Sequence, residues 1–270
     1  MVTGTDDAAI LAELERLALL AGAEIMDVFR AGIVVEEKSD HSPVTEADRR
    51  AEIVILQGLR EAFPHVPCVA EEEASAGLLP PALGELFFLV DPLDGTKEFI
   101  KRRPDFTVNI ALVREGVPEI GVVYAPAQGT LYSGRPGKAY AVTVGENHEP
   151  LDRSEISVRS CAEPKTIVAS RSHRTPETDE FIDKHEGAEI ISVGSSLKFC
   201  LLASGKADLY PRFGRTMEWD TAAGDAVLRA AGGRTTLIDG KPFTYGKRNQ
   251  AEDVDFANPW FVAEGGAVQD

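Results

Sequence analysis

The segment ELFFLVDPLDGTKEFI, residues 85–100, constrains the fold of this 270-residue chain more strongly than any other part of it. Its first half is a continuous apolar run, which predicts a strand that is buried on both faces. The strand ends at Asp91, and Asp94 follows across a proline-containing turn. Carboxylates that converge at the end of a strand suit a hard divalent cation, above all Mg²⁺. The alternative interpretation is a turn without a ligand, since Asp-Gly is a frequent turn signal.

The rest of the chain shows two patterns. Residues 6–30 and 45–63 carry apolar side chains at helical spacing, and residues 106–144 hold successive strands with Gly or Pro at most of the joints. This order predicts helices and an antiparallel sheet, which is an α+β arrangement. Beyond residue 154, strands and helices alternate, which is typical of an α/β unit.

The polar stretch GENHEPLDRS, residues 145–154, is the best candidate for a boundary between these patterns. We therefore predict two packed subdomains with no flexible linker between them. The first, residues 1–150, is an α+β unit with the antiparallel sheet and most of the candidate metal ligands. The second, residues 151–270, is an α/β unit that contains Asp220.

The net charge and the cysteine content of the chain indicate its binding partners and its cellular compartment. The formal net charge of −16 argues against a nucleic-acid polymer as partner, because such binders usually present a basic face. A small phosphorylated ligand stays compatible with the net charge, since bound metal ions reverse the local field.

The three cysteines are unevenly spaced without a CxxC pair, which favours a reducing compartment. With no signal-peptide pattern and no apolar run of membrane-spanning length, we expect a cytoplasmic protein without a transmembrane segment. Peripheral association with the inner membrane is the alternative.

Three further acidic segments follow strands or open helices. VAEEEA places Glu71 directly after the short strand PCVA, SPVTEAD places Asp48 at a helix start, and EWDTAAGD places Asp220 at another. Each has a simpler interpretation. A triple-Glu run is usually a solvated face, Thr45 with Asp48 resembles a capping box, and Asp220 resembles an N-cap. Their number favours a metal site, because acids at several turns and helix starts have no joint packing role.

The residues after Asp94 predict a place for an anion. Gly95 and Thr96 open the short helical segment TKEFIKR. The free N–H groups at the start of such a segment would hold a phosphate beside the metal ions.

Four segments occur in the order and approximate spacing of a known superfamily: SPVTEAD, VAEEE, DPLDGTKEF and WDTAAGDAVLRAAGG. The chain thereby resembles the inositol monophosphatase-like superfamily of metal-dependent, lithium-sensitive phosphatases, from about residue 5 to residue 262. The resemblance implies the layered α-β-α-β-α sandwich of the inositol monophosphatase-like (sugar phosphatase) fold.

Within the superfamily, the chain looks most like the bacterial 3′(2′),5′-bisphosphate nucleotidases of the CysQ type. The similarity lies in KEFIKRRPDFTVNIALV, GVVYAP, SRSH, GSSLKFCLLASG and ADLYPRFG. Those enzymes remove the 3′-phosphate of adenosine 3′,5′-bisphosphate, a by-product of sulfate assimilation, and release AMP and phosphate. The resemblance implies the same reaction here, with the 5′-phosphosulfate analogue as a further candidate substrate.

The resemblance also implies a cofactor, two or three Mg²⁺ ions, and inhibition by lithium. One ion would be held by Glu71, Asp91 and the carbonyl oxygen of Leu93. A second would be held by Asp91, Asp94 and Asp220, so that Asp91 bridges the two ions. The physical mechanism would be an in-line displacement assisted by two metal ions.

The implied catalytic residues are Asp48, Glu71 and Thr96. Thr96, together with Asp48 or Glu71, would orient the attacking water, and the sequence does not choose between these two carboxylates as proton acceptor. The backbone amides of Gly95 and Thr96 would bind the scissile phosphate.

The nucleotide is expected to contact both halves of the chain. In GSSLKFCLLASG, Ser195, Ser196 and Lys198 suit the second, non-scissile phosphate, although an N-cap and a solvated lysine are the simpler interpretations. The full set of implied substrate contacts is Glu71, Leu93, Asp94, Gly95, Thr96, Ser195, Ser196, Lys198, Arg212 and Asp220. Three further candidates are Lys38, Arg171 and His173.

The segment before Asp220 departs from the pattern of the enterobacterial-type relatives. The differences are at Arg215, Met217 and Glu218, and they put the substrate-facing loop in doubt. Asp225, one turn into the helix that follows, is expected at the surface.

Two other functions stay open. The same chemistry could act on inositol monophosphate or on a sugar bisphosphate, and parallel assays on the candidate substrates would decide. A function of another class is a non-catalytic phosphate- or metal-binding regulator, although every expected ligand is present. We expect a monomer, with a dimer as the alternative.

Overall fold

The computed structural model describes residues 6–37, 43–160, 163–170 and 174–266 of the chain. Within these residues the α-helices are α1 (Asp7–Ala31), α2 (Glu46–Ala62), α3 (Glu71–Ser75), α4 (Thr96–Ile100), α5 (Pro176–Asp183), α6 (Leu197–Ala203) and α7 (Glu218–Ala230). The strands are β1 (Val35–Glu37), β2 (Pro43–Thr45), β3 (Cys68–Ala70), β4 (Leu86–Asp94), β5 (Thr107–Arg114), β6 (Val117–Ala125), β7 (Thr130–Arg135), β8 (Lys138–Val144), β9 (Pro150–Ile156), β10 (Thr166–Ser170), β11 (Glu189–Val193), β12 (Leu209–Arg212), β13 (Arg234–Leu237) and β14 (Phe261–Glu264).

Among the described residues, the larger sheet has seven strands in the order β3-β4-β5-β6-β7-β8-β9. β3 lies parallel to β4, and every later pair is antiparallel. The antiparallel strands predicted for residues 106–144 are therefore confirmed as β5 to β8. The side chains of β4 are buried on both faces, as its apolar sequence predicts, because helices cover both sides of the sheet.

The polar stretch 145–154 forms part of a strand. Residues Pro150–Ile156 make up β9, which pairs with β8 at the edge of the larger sheet. Its side chains are exposed on both faces from Pro150 to Glu155, so no apolar alternation marks it as a strand in the sequence. The larger sheet thus includes residues on both sides of the boundary that the sequence predicts.

The smaller sheet, within the same described part of the chain, has five strands in the order β11-β10-β12-β14-β13. β10 lies parallel to β11 and β12, and β14 lies antiparallel to β12 and β13. The parallel strands agree with the α/β pattern of the second half. β14 has no counterpart among the predicted strands.

The helices and sheets form layers. α1 and α2 pack together against one face of the larger sheet. α6 and α7 pack against its other face and against the smaller sheet, and α5 packs on the smaller sheet through Ile167, Ile182 and Leu209. The predicted α-β-α-β-α sandwich is confirmed.

α1 begins and ends at residues that the sequence predicts. Asp6 caps the first turn by accepting a hydrogen bond from the Ala8 N–H at 3.1 Å, and Gly32 follows the last turn with a φ of 125°. The buried side chains recur every three or four residues and face α2 and the larger sheet: Ile10, Leu14, Leu17, Ala21, Ile25 and Val28. No helix in the described part of the chain, α1 included, is both long and apolar enough to cross a membrane.

The expectation that Asp225 lies at the surface is wrong. Its side chain is fully buried and accepts hydrogen bonds from Thr235 Oγ1 at 2.7 Å and from Tyr245 Oη at 3.1 Å. Arg229, one turn later in α7, donates from Nε at 3.0 Å. Burial raises the pKa of Asp225, and these donors oppose the shift. The sequence of one helix cannot show this burial, because α7 is covered by elements that lie far away in the chain.

α7 approaches β6 so closely that glycine is required at position 121. A Cβ atom on Gly121 would lie 2.5 Å from the carbonyl oxygen of Ala223 and 2.7 Å from Cβ of Ala226. Because that carbonyl cannot move without shifting α7, we expect Gly121→Ala to lower the free energy of unfolding by about 1–3 kcal/mol. Urea denaturation of the two proteins measures the difference.

Gly58→Ala is the matched control for this substitution. Its Cβ atom would meet the end of the Leu17 side chain at 2.2 Å, and a side chain can change rotamer where a backbone cannot. Alanine also has the better helix propensity, by about 1 kcal/mol. We expect a smaller loss at Gly58 than at Gly121, and equal losses would contradict the backbone contact as the cause.

Candidate metal centre

β4 contains a bulge between Asp91 and Asp94. Asp91 pairs with Asn109 and Asp94 with Thr107, so three steps along β4 match two steps along β5. In a regular strand, residues three apart point to opposite faces, and an extra residue brings them back to the same side. The Leu93 N–H also donates to Asp91 Oδ1 at 2.9 Å. The predicted turn is therefore a bulge within the strand, and both aspartates line one cavity.

Three carboxylates meet at this end of the larger sheet. Oxygen atoms of Glu71, Asp91 and Asp220 all lie within 4.8 Å of one another. The pairing of Ala70 in β3 with Val90 in β4 places Glu71 and Asp91 side by side, one residue beyond each strand partner. Asp220 comes from the first turn of α7. The sequence motifs that suggested a metal site are thus brought together in space.

Burial and repulsion from neighbouring carboxylates raise the pKa values of Asp91, Asp94 and Asp220. The pKa of Asp91 lies well above its usual value because of burial and then because of Glu71, Asp94 and Asp220. The pKa of Asp220 is raised by burial and then by Asp94 and Glu71. Burial also raises the pKa of Asp94, and the Lys198 ammonium opposes that shift. A divalent cation would offset this repulsion, and an all-oxygen donor set of carboxylates and a carbonyl fits Mg²⁺.

Asp48 serves both as a helix cap and as a neighbour of the cavity. Its Oδ2 accepts hydrogen bonds from the Thr45 N–H and the Thr45 hydroxyl, each at 2.7 Å, which completes a capping box. Its Oδ1 lies 3.3 Å from the hydroxyl of Thr96. That hydroxyl is also 3.2 Å from the carbonyl oxygen of Leu93. The capping interpretation of Asp48 is therefore confirmed, and Thr96 lies between Asp48 and the cavity.

Ser196 connects two of the candidate ligands. Its Oγ lies 3.1 Å from Asp94 Oδ2 and 2.7 Å from the carbonyl oxygen of Asp220. It occupies the N-cap position of α6 but makes no capping bond with its side chain. The structure thus places Ser196 against the acidic cluster, which consists of Glu71, Asp91, Asp94 and Asp220.

The carboxylates line a cavity of about 300 Å³ whose wall also carries cations. Lys198 and Arg212 are buried and Arg215 is exposed, and all three line it. Burial lowers the pKa of Lys198 to about 8, and Asp94 opposes the shift. The interpretation of Lys198 as a solvated side chain is therefore wrong. Arg215 pairs with Asp253 at 3.0 Å.

Ser195 is held in an unusual conformation at the cavity wall. Its φ is 47°, in the left-handed region, and its buried Oγ has no hydrogen-bond partner among the described residues. The N-cap interpretation of Ser195 is wrong, since α6 begins at Leu197 with Ser196 in the N-cap position. A strained backbone with an unsatisfied polar atom in a cavity is typical of a binding site.

The residues that the resemblance implied for substrate binding all line this cavity: Glu71, Leu93, Asp94, Gly95, Thr96, Ser195, Ser196, Lys198, Arg212 and Asp220. Asp91 lines it too, and Asp48 lies behind Thr96. Lys38, Arg171 and His173 lie outside the described residues.

The sequence motifs missed several residues of this region. Glu98 and Tyr210 are buried side chains that line the cavity, and nothing in their local sequence marks them. Glu52 is also buried, and its carboxylate binds the start of α3 next to Glu71. Its spacing of four residues from Asp48 puts the two acids on one face of α2, a signal that could have identified it.

Comparison with known proteins gives matches over nearly the whole chain. The sequence profile of the inositol monophosphatase family matches residues 6–265. The 3′(2′),5′-bisphosphate nucleotidase CysQ of Escherichia coli (strain K12) is 45% identical over 259 residues, which cover 93% of this chain and 98% of that protein. The crystal structure of CysQ from Bacteroides thetaiotaomicron has a TM-score of 0.75 at 37% identity and covers 96% of this chain and 98% of that one. An inositol monophosphatase from Anabaena (Nostoc) has a TM-score of 0.71 at 26% identity, with 96% and 91% covered.

We expect Mg²⁺ to stabilise the folded protein. The cation would offset a repulsion between carboxylates that exists only when the chain is folded. At a hundredfold excess over Kd the gain in unfolding free energy would be about 2.7 kcal/mol. The melting temperature in EDTA and in rising Mg²⁺ measures this gain, and a melting temperature that responds to neither would contradict the metal centre.

Two substitutions separate a specific ion from a general salt effect. Asp91→Asn removes the most buried carboxylate of the cluster, so it should not lower the melting temperature in EDTA and should abolish the increase with Mg²⁺. Asp239→Asn changes an exposed aspartate away from the cavity and should keep the wild-type increase in melting temperature with Mg²⁺.

Proposed function

Because this chain belongs to the inositol monophosphatase family, we propose that it is a Mg²⁺-dependent phosphatase that hydrolyses the 3′-phosphate of adenosine 3′,5′-bisphosphate to AMP and phosphate. The reaction links it to sulfate assimilation, and the 5′-phosphosulfate analogue is a second substrate in this proposal. The observation that carries it is one cavity whose wall holds both a cluster of carboxylates and buried cations. A substrate with two phosphates matches both sets of charges.

The carboxylates of the cavity wall, together with the Leu93 carbonyl, would hold the Mg²⁺ ions. Glu71, Asp91 and the Leu93 carbonyl would hold one ion, and Asp91, Asp94 and Asp220 would hold a second. The proximity of Glu71, Asp91 and Asp220, and the place of Leu93 and Asp94 in the same cavity wall, support this division. Bound Mg²⁺ supplies Lewis acidity and counter-charge for attack of water on a phosphate ester. Inhibition by lithium is part of the same proposal.

Asp48 and Thr96 would orient the attacking water. Asp48 Oδ2 is held by Thr45, so the carboxylate is fixed with Oδ1 toward the Thr96 hydroxyl at 3.3 Å. Leu93 accepts from the same hydroxyl at 3.2 Å, which limits its rotation. A carboxylate fixed in this way can accept a proton through Thr96, which makes Asp48 the proton acceptor in this proposal.

Lys198 and Arg212, the basic set of the cavity wall, would bind the second, non-scissile phosphate. The ammonium of Lys198 and the guanidinium of Arg212 supply positive charge in a buried setting, where charge-assisted hydrogen bonds are strong. Ser195 Oγ adds a donor that lacks a partner within the described chain. Gly95 and Thr96 line the cavity beside the acidic cluster and would contact the scissile phosphate.

An inositol monophosphatase is the second candidate, favoured by the structural match to the Anabaena protein. Inositol monophosphate has no second phosphate for the basic set to bind. The buried Lys198 and Arg212 therefore favour the bisphosphate. The proposal also includes a cytoplasmic location and a monomeric state.

The first experiment compares substrates. We expect phosphate release from adenosine 3′,5′-bisphosphate to require Mg²⁺, to fall with added lithium, and to exceed release from inositol monophosphate in kcat/KM. A preference for inositol monophosphate would favour the second candidate. Absence of turnover on both, with Mg²⁺ still bound, would favour a non-catalytic regulator.

Asp94→Asn tests whether the carboxylates take part in turnover. Removing one ligand charge should lower kcat/KM by more than about a hundredfold while the protein stays folded, because Asp94 touches Ser196 and lines the cavity. Steady-state kinetics with circular dichroism measure both properties, and Asp239→Asn is the control that should keep full activity. Full activity of Asp94→Asn would exclude Asp94 as a ligand.

Lys198→Gln tests the basic set. A charge-assisted hydrogen bond to the second phosphate is worth about 1.5–3 kcal/mol, so KM for adenosine 3′,5′-bisphosphate should rise by about ten- to a hundredfold. KM for adenosine 3′-monophosphate, which lacks that phosphate, should change much less. An equal rise for both substrates would show that Lys198 acts on the acidic cluster instead.

A further inference from the structure

Glu52 places a buried carboxylate at the start of α3. Its side chain is 5% exposed, and its two oxygens accept hydrogen bonds from the backbone N–H groups of Glu72 at 2.8 Å and Glu73 at 2.9 Å. The N-cap residue of α3, Ala70, has no side-chain acceptor of its own. The cap of α3 is therefore supplied by another helix, α2.

This cap acts on the backbone of Glu71. The nitrogen of Glu72 is joined to the carbonyl carbon of Glu71, so a bond to that nitrogen fixes the peptide plane at the end of Glu71. α3 has only five residues, and a helix of this length is not stable without tertiary contacts. The backbone of Glu71, and with it the direction of its Cα–Cβ bond, is thus held by β3 before it and by Glu52 after it.

Burial makes the charged form of the Glu52 carboxylate energetically unfavourable. Burial raises its pKa to about 7, and the neighbouring Glu72 and Glu73 add to the shift, while the two backbone N–H groups oppose it. A glutamine would fill the same volume without a charge. α2 nevertheless presents two acids on one face, Asp48 toward Thr96 and Glu52 toward α3.

We propose that Glu52 is a positioning residue, which holds Glu71 in the orientation that Mg²⁺ requires. The inference rests on the proposed metal site and on no particular substrate. Groups that orient a metal ligand typically change metal affinity by about 10- to 100-fold when they are removed. Glu52 acts through the α3 backbone and does not itself bind the ion.

Glu52→Gln tests this role, because the amide keeps the shape but offers one acceptor to two N–H groups. We expect the Kd for Mg²⁺, measured by calorimetric titration without nucleotide, to rise by about tenfold or more. The melting temperature in EDTA serves as a second measurement. Because no nucleotide is present, failure of the nucleotidase assay would leave this result unaffected.

Asp225→Asn is the matched control. Asp225 is also a buried carboxylate that accepts two hydrogen bonds from donors outside its own helix, but it does not line the cavity. Its loss should lower the melting temperature and leave the Kd for Mg²⁺ unchanged. The two variants therefore separate a general loss of stability from a specific loss of metal affinity.

Two results would overturn the proposal. One is Glu52→Gln with a lowered melting temperature and an unchanged Kd, which would make Glu52 purely structural. The other is a wild-type protein that binds no Mg²⁺ in the titration. If Glu52→Gln does not fold, Glu52→Asp replaces it, because the shorter side chain withdraws both oxygens from the Glu72 and Glu73 N–H groups. An unchanged Kd in that variant would equally reject the proposal.

Discussion

Repulsion among carboxylates at the end of a buried strand is the constraint on which the rest of this structure depends. Oxygen atoms of Glu71, Asp91 and Asp220 lie within 4.8 Å of one another and Asp94 lines the same cavity, so the folded chain brings like charges together. Glu71 comes from α3 and Asp220 from α7, while Asp91 and Asp94 lie at the two ends of the bulge in β4. Sheet pairing and helix packing hold these positions, and the acidic cluster that results could hold a metal ion.

Local structure and chemistry share the same side chains around this cluster. Asp48 caps α2 and contacts Thr96, Ser196 starts α6 and contacts Asp94, and Glu52 on α2 caps α3. At Asp48 and Glu52 an interaction that caps a helix also lies next to a group of the cavity, whereas Ser196 contacts Asp94 without capping α6 through its side chain. A capping role is therefore compatible with a position beside the cavity for an acid at a helix start. Such pairs of roles place the site on rigid elements, which a loop alone would not do.

The sequence predicted the parts of the fold that depend on local patterns. The apolar run of β4, the strands β5 to β8 and the amphipathic helix α1 are each visible as a local pattern. The layered fold and the full set of cavity residues were implied only by the resemblance to a family, which the ordered motifs carry. β9 was missed because an exposed edge strand has no apolar alternation. The sequence predicts Asp225 at the surface, and this is wrong because the sequence of one helix does not show which other elements pack against it.

The sequence by itself determined that acids follow a buried strand and open helices, because the order of residue types along the chain contains that information. Only the tertiary structure decided which of them meet. The bulge in β4 turns Asp91 and Asp94 to one side, parallel pairing of β3 sets Glu71 beside Asp91, and packing of α7 brings Asp220 from far along the chain. Burial of Lys198, the strained backbone of Ser195 and the cap from Glu52 are likewise products of packing. Distances between elements depend on contacts between distant segments, which no local pattern records.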